Sequence, residues 1–459
     1  MCKYCSDSDL IRFKIAAIIG LITYFTYTAN GRYIGAGDCV PASIIPISLA
    51  RGNGPWLDRY RAFIEDDQGR LPGYCELSRG HVVSRYPVGP ALVLAPLVIP
   101  QVYLWDQFDP GWDFDQKKFL HYSRRMSKTA ASVLVAVSIS LIFFWLSSFV
   151  SCQSALLASL AAAFGSGLFP TASQAGWQHG PAVISLMVAI TCIHFFSASR
   201  FALVLAGTAT AMTVVCRLTD VPIAIAVWLY VTRHRFRDLL LFSSAALVIA
   251  TVWMTWNIYF FDHPNGGYSE IEKMHGWAHG VKGSWATPFF TGLKGTLLSP
   301  SHGLLVYSPW VVASLSGLVI CWRKTDSDQH NLKLLKYLSL SLLPTLIIYS
   351  KYSCWWAGHC FGARFWIDST PIFASLFALM LESSETRSFK KSAFTRRVSY
   401  CLIILSVLIH LTGYLTYPST WHSSPSNADR DHDRLWDWED NEISRGLKEG
   451  VHARQWNGF

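Results

Sequence analysis

The feature that most constrains this chain is a series of twelve long apolar runs. They cover, approximately, residues 11–28, 88–104, 129–150, 154–170, 181–197, 201–216, 221–232, 238–260, 303–321, 333–350, 367–382 and 398–415. Many of them approach the ~20 residues that an α-helix needs to cross a bilayer. Only 15% of the 459 residues are charged. We therefore predict an all-α, polytopic transmembrane bundle.

The basic residues predict how this bundle is oriented. The net charge of +9 comes largely from Lys and Arg in short gaps between the apolar runs, which is typical of the inner face of a membrane protein. It therefore gives no reason to expect a nucleic-acid partner. The basic gaps all lie inside only if run 88–104 does not cross. Four prolines lie in or directly before this run, at 87, 90, 96 and 100, and because proline disrupts a helix we predict an interfacial or re-entrant segment. About eleven spans remain, with the N-terminus inside and the C-terminus outside.

Runs 201–216 and 221–232 are short and are separated by CRLTD. They are either two thin spans or a re-entrant hairpin, and both alternatives leave the remaining topology unchanged. The predicted organisation is a transmembrane domain over residues 1–415, including a long outer loop at 31–128, followed by an outer tail at 416–459. Four loop cysteines, Cys39, Cys75, Cys354 and Cys360, are candidates for disulfides whose pairing the sequence does not fix.

The unusual loops gather on the predicted outer face. Asp38 lies there, in GRYIGAGDCVPASIIP, just beyond the first apolar run. The other outer segments are TASQAGWQHGP at 171–181, CRLTD at 216–220, residues 261–302 with HPNGGYSEIEKMHGWAHG, and KYSCWWAGHCFGARFWID at 351–368. The inner loops are short and basic. We therefore expect the function to lie on the outer face.

This layout resembles the GT-C superfamily of membrane glycosyltransferases, which includes protein O-mannosyltransferases and aminoarabinose transferases. In that family a long first outer loop opens with an acid, and amphipathic and membrane-hugging segments follow it. Here VPASIIPISLA at 40–50 and YPVGPALVLAP at 86–96 match those segments. The QHGP, LLSPSHGLLVYSPW and WWAGHCFGARF motifs also resemble those of a group of bacterial membrane proteins. The resemblance in layout covers about the first 200 residues.

The resemblance implies an inverting transfer of a sugar from a polyprenyl-phosphate donor to an acceptor hydroxyl on the periplasmic face of a bacterial inner membrane. Membrane lipids and the lipid-linked donor would be its partners, while the acceptor, whether glycan, lipid or protein, is left open. This sequence departs from the family pattern at two places that concern metal binding. Asp38 is followed by Cys39 where many members have Asp-Glu, and loop 171–181 has His179 but no carboxylate. We therefore assign no cofactor and no metal ligands.

Asp38 is the candidate catalytic residue. As a general base it would take the proton from the acceptor hydroxyl while that oxygen attacks the anomeric carbon. The alternatives are a cap for the following helix or a solvated loop acid.

Seven further residues are candidates for substrate binding. Arg217 and Asp220 either form a mutual ion pair or contact a phosphate, for which a planar guanidinium is well suited. Trp355, Trp356, His359 and Arg364 share one glycine-containing loop, where aromatic rings can pack on a sugar and Arg364 can hold a phosphate. Paired tryptophans are also common as interfacial belt residues.

His179, the seventh candidate, precedes a helix that begins at Gly180 and Pro181; it either bonds substrate or is only a neighbour of the helix cap.

Two other functional classes stay open at this point. A transporter or lipid flippase would be expected to have inverted repeats and intramembrane charges, and the sequence has no evident repeat. A non-catalytic assembly partner is the third alternative. The tail alternates charged and aromatic residues, and it either lies solvated on the outer face or covers the site.

Overall fold

The computed structural model describes residues 7–279, 283–324, 332–385 and 389–450. The last nine residues of the predicted tail, 451–459, lie outside this part of the chain. The described residues are mostly helical. The helices are α1 Asp7–Thr28, α2 Cys39–Ala50, α3 Arg61–Ile64, α4 Gly89–Phe108, α5 Gln116–Leu146, α6 Cys152–Phe164, α7 His179–Phe195, α8 Arg200–Cys216, α9 Val221–His234, α10 Leu239–Phe261, α11 Tyr268–His279, α12 Phe289–Leu298, α13 Leu304–Tyr307, α14 Val311–Arg323, α15 Leu332–Leu340, α16 Leu342–Lys351, α17 Thr370–Glu385, α18 Phe389–Thr416 and α19 Glu442–Glu449. One antiparallel hairpin joins β1 Cys75–Ser78 to β2 His81–Ser84.

The predicted all-α class is confirmed. Seven segments of the described chain are long and apolar enough to cross a membrane: Leu10–Thr28, Gly89–Phe108, Gln116–Leu146, Phe236–Phe261, Leu332–Lys351, Arg364–Ser383 and Ala393–Thr416. Five shorter apolar helices, α2, α6, α7, α8 and α14, have 10 to 17 residues. The fold is therefore compatible with a multi-pass membrane protein, and the number of about eleven spans stays a prediction.

Several of these helices expose large apolar side chains on one face. Leu240 and Val252 of α10 are 82% and 65% exposed, and Phe394 of α18 is 71% exposed. Contiguous apolar surface of this kind is unfavourable in water and marks a contact surface. A lipid environment gives such surfaces an apolar neighbour.

Segment 88–104 corrects one expectation. The prolines do not break it, because α4 runs without interruption from Gly89 to Phe108 through Pro96 and Pro100. Both prolines lie on the exposed face of the helix, four residues apart, while Leu94 and Val98 are buried on the other face. The argument from proline is therefore wrong for the local structure, since a missing backbone donor on an outward face is tolerated in apolar helices.

Glycines hold three pairs of helices at very short distance. A Cβ added at Gly207 of α8 would lie 2.1 Å from the carbonyl oxygen of Phe242 in α10. The corresponding distance is 2.0 Å from Gly292 of α12 to Ser350 O in α16, and 1.7 Å from Gly317 of α14 to Leu376 O in α17. Close backbone approach at small residues is the usual packing mode of helices in lipid.

The first long loop folds into a compact unit with its own hydrophobic core beside the bundle. Its core packs Tyr60 on Phe119 with ring centroids 4.2 Å apart, and Trp112 is fully buried next to them. Arg51 binds Asp106 through two nitrogens, at 2.7 and 2.6 Å, and its Nε donates to Asp113 at 2.9 Å. These contacts fix the segment that follows Asp38.

Candidate functional site

Asp38 lies immediately before α2, but it does not cap this helix, because its side chain makes no capping hydrogen bond. Instead, Asp38 Oδ2 accepts a hydrogen bond from Arg364 Nη1 at 2.9 Å. The two side chains are only 11% and 14% exposed, so Asp38 is not a solvated loop acid either. Two residues that the sequence analysis selected independently therefore form one ion pair.

The remaining contacts of Arg364 hold its guanidinium in a fixed plane. Nη2 donates to the carbonyl oxygen of Ala357 at 2.6 Å, and the guanidinium lies over the Trp177 ring, 4.7 Å from its centroid. Nε is buried and has no hydrogen-bond partner among the described residues. A buried donor without a partner is unfavourable, so this edge of the guanidinium is available for an anionic ligand.

Arg217 is the centre of a second buried cluster. Its Nε lies 2.9 Å from Asp368 Oδ2, and its Nη1 lies 3.2 Å from His179 Nε2. His179 Nδ1 is 2.9 Å from the same carboxylate oxygen of Asp368. All three side chains are buried, with residue exposures between 1% and 6%. His179 therefore contacts both the carboxylate of Asp368 and the guanidinium of Arg217, and it is not only a neighbour of the helix cap.

The mutual ion pair considered for Arg217 and Asp220 is not formed, because Arg217 contacts Asp368 instead. Asp220 follows one turn later, is 1% exposed, and its Oδ2 has no hydrogen-bond partner in the described part of the chain. Tyr349 OH donates to Thr219 at 3.2 Å and accepts from Arg217 Nη2 at 3.4 Å. Asp220 thus remains a buried acid near the Arg217 cluster.

The two clusters are neighbours. Arg217 and Arg364 lie close enough for their positive charges to repel each other. Balanced against them are the two paired acids, Asp38 and Asp368, and the buried Asp220. Two guanidiniums at the ends of helices form a region that is suited to an anion with several oxygens.

Two tyrosines border this region, Tyr86 just after β2 and Tyr268 at the start of α11. The Tyr86 and Tyr268 rings meet edge to face at 6.4 Å, and Tyr268 OH donates to Gln178 Oε1 at 2.9 Å. Burial raises the pKa of Tyr268 to about 12 and raises the pKa of Tyr86, to which the negative charge of Asp38 contributes. Both phenols therefore stay protonated and can serve as hydrogen-bond donors.

The other loop candidates are covered by the C-terminal tail. Trp355 and Trp356 are 6% and 2% exposed, so they are not interfacial belt residues. Asp429 of the tail accepts from Trp356 Nε1 at 2.8 Å, and its other oxygen lies 2.9 Å from His359 Nε2. The tail therefore packs on loop 351–368 rather than lying free in solvent.

The structure thus brings Asp38, Arg364, Arg217, His179 and Asp220 to one region, and it assigns Trp355, Trp356 and His359 to contacts with the tail. Sequence reasoning missed four residues at these sites, namely Tyr86, Tyr268, Asp368 and Asp429. Asp368 carried a usable signal, since it is the acid that ends the motif WWAGHCFGARFWID. The other three lie in long loops with no distinguishing spacing.

No group of three or more His, Cys, Asp or Glu side chains in the described residues is arranged to hold a metal ion. The four loop cysteines are buried free thiols. Comparison with protein-family models and with curated proteins found no match.

Proposed function

We propose that the protein is a membrane glycosyltransferase of the GT-C type, which transfers a sugar from a polyprenyl-phosphate donor to an acceptor hydroxyl on the outer face. The observation that carries this proposal is the contact between Asp38 and Arg364, with Arg217 beside it. An acid that can act as a base and two cations that can hold a phosphate lie together at one end of apolar helices. The phosphate of a lipid-linked donor lies at the membrane interface, where side chains at the ends of membrane helices can bind it.

In the proposed reaction Asp38 takes the proton from the acceptor hydroxyl. The acceptor oxygen forms the new bond to the anomeric carbon while the bond from that carbon to the donor phosphate oxygen breaks. The electron pair stays on the phosphate, so negative charge grows there in an oxocarbenium-like transition state. Arg364, through its unpartnered Nε, and Arg217 stabilise this charge. A single displacement of this kind inverts the anomeric centre.

The membrane is proposed to be a bacterial inner membrane, with the N-terminus inside and the C-terminus outside. The basic gaps between the apolar runs support this orientation, on the prediction that run 88–104 does not cross the membrane. The acceptor is met on the side where the tail and the first long loop lie.

The test uses the full-length protein purified in a mild detergent. Its lipid extract is searched by mass spectrometry for bound polyprenyl phosphate, and turnover is measured as release of polyprenyl phosphate from a set of polyprenyl-phosphate sugars. Asp38→Asn keeps the size of the side chain but cannot accept the proton. We expect it to retain bound lipid and to lower the rate by about 10²–10⁴-fold.

Glu65→Gln is a matched control, because it removes a carboxylate of the same outer loop whose salt bridge is with Arg61, four residues away in the same loop. It should leave turnover unchanged. If Asp38→Asn turns over normally per folded molecule, Asp38 is not the base. If lipid is bound and moved between leaflets of a vesicle without release of sugar, the protein is a flippase.

A further inference from the structure

Besides Asp429, a second and fully buried carboxylate of the tail, Glu442, reaches the loop that carries Arg364. Glu442 is the first residue of α19 and is 0% exposed. Its Oε2 accepts from the backbone N–H of Gly362 at 2.9 Å and from Tyr307 OH at 3.3 Å. Its Oε1 lies 3.2 Å from His422 Nε2 but makes no hydrogen bond within the described residues. The two hydrogen bonds to Oε2 therefore fix the place of this carboxylate.

Gly362 links this carboxylate to the candidate site. Its N–H is bound by Glu442, and its carbonyl oxygen accepts from the backbone N–H of Arg364 at 2.8 Å. Gly362 has φ +70°, and a Cβ at this position would lie 2.4 Å from Tyr307, so the peptide has little freedom to turn. Glu442 therefore fixes the orientation of Gly362 through its backbone N–H. The carbonyl oxygen of Gly362 in turn fixes the backbone of Arg364.

The end of the tail is rigid where Glu442 is presented. Asn441 caps α19 by accepting from Ile443 N and Ser444 N at 3.1 and 3.0 Å, and Ser444 Oγ accepts from Asn441 N at 3.0 Å in return. Further along, a Cβ at Gly446 would lie 2.5 Å from Thr416 of α18. The helix that presents Glu442 is thus fixed by its own cap and by close packing on α18.

We propose that Glu442 is a positioning residue for Arg364, so that the C-terminal tail is a working part of the candidate site rather than a cover over it. One consequence concerns the substrate and rests on the proposed function: without Glu442, Arg364 would bind the donor phosphate with lower affinity. The structural consequence does not depend on that function, because it concerns only the order of loop 356–364.

The test compares Glu442→Ala with Glu442→Gln and Glu439→Ala in the full-length protein in detergent. Glu442→Ala removes the acceptor for Gly362, whereas Glu442→Gln keeps an amide oxygen in the same place. Glu439→Ala removes an exposed acid of the same tail and is the matched control. The first measurement is hydrogen–deuterium exchange of peptides that contain residues 356–367. We expect exchange there to rise at least tenfold in Glu442→Ala and to stay near the wild-type value in the other two variants.

The second measurement is binding of polyprenyl phosphate, with the corresponding polyprenol as the control without phosphate. We expect Glu442→Ala to weaken phosphate binding about tenfold, Glu442→Gln to restore it, and polyprenol binding to stay constant. If the tail loosens in Glu442→Ala while loop 356–367 exchanges as in the wild type, the inference is overturned. If the loop loosens but no form of the protein binds polyprenyl phosphate, the positioning role stands and the proposed function fails.

Discussion

Lowering the pH should weaken the docking of the tail on loop 351–368. The shifted pKa values of buried groups at this contact give the size of the effect. His302, which the tail covers, and His422, which belongs to the tail, are each 3% exposed. Burial lowers the pKa of His302 to about 4 and the pKa of His422 to about 3, where the positive charge of His359 also contributes. A folded pKa below the ordinary value of 6.5 gives stability that is present above pH 6.5 and is lost as the pH falls.

Glu442 acts in the opposite direction. Burial raises its pKa from 4.5 to about 7, so its contribution to tail docking is complete below pH 4.5 and is lost as the pH rises through 7. The titratable groups that face it are His302, Tyr307, His359, Cys360, Tyr417 and His422.

The magnitudes follow from these shifts at about 1.36 kcal/mol per pKa unit. Between pH 7 and pH 5 the two histidines together remove about 4 kcal/mol from the docked state, and protonation of Glu442 returns about 2 kcal/mol. The wild-type tail should therefore lose about 2 kcal/mol, which lowers its docking equilibrium by more than roughly tenfold. In Glu442→Gln nothing offsets the histidines, and the loss should be about twice as large.

The assay is hydrogen–deuterium exchange of tail peptides within residues 419–447 at pH 7 and pH 5, corrected for the intrinsic dependence of exchange on pH. Peptides of α7, outside the tail, are the internal control. A tail that is better protected at pH 5 than at pH 7 would refute the reasoning about the histidines. Equal pH dependence in the wild type and in Glu442→Gln would show that Glu442 does not take up the proton.

Two further predictions concern the site and the topology. Arg364→Lys keeps the charge but loses the planar fork and the unpartnered Nε, so affinity for polyprenyl phosphate should fall roughly 10–100-fold; unchanged affinity in isothermal titration would return Arg364 to a purely structural role. In a cysteine-free background, Ser423→Cys in the tail should react with a membrane-impermeant thiol reagent in intact cells, whereas Arg233→Cys should react only after lysis; labelling of position 233 in intact cells would overturn the predicted orientation.

The helical architecture could be predicted because it depends on local composition. Long apolar runs specify helices in lipid, and the first long loop is delimited by the runs on either side. The continuity of α4 could not be predicted from its prolines alone, because the effect of Pro96 and Pro100 depends on which face of the helix they occupy. That face is set by packing, which one sequence does not reveal.

The candidate site likewise contains residues that local sequence reveals and residues that only the tertiary fold brings together. Asp38 and Arg364 were selected because each stands in an unusual loop next to an apolar run. The partner of Arg217 was missed because Asp368 lies 151 residues further along the chain, where only the tertiary fold makes it a neighbour. Asp429 and Glu442 were missed for the same reason, since charges in a polar tail look alike until one of them is buried.

The contact between Asp38 and Arg364 also has a consequence for the biosynthesis of the protein. The two residues are separated by 326 positions. At about 5–20 residues per second, a ribosome needs roughly 15 to 65 seconds to pass from one to the other. Throughout that time the nascent chain carries an acid at the end of its first apolar helix without the arginine that pairs with it in the finished fold. A polypeptide that terminates before Arg364 would lack this partner, so the ion pair forms only in chains that extend past residue 364.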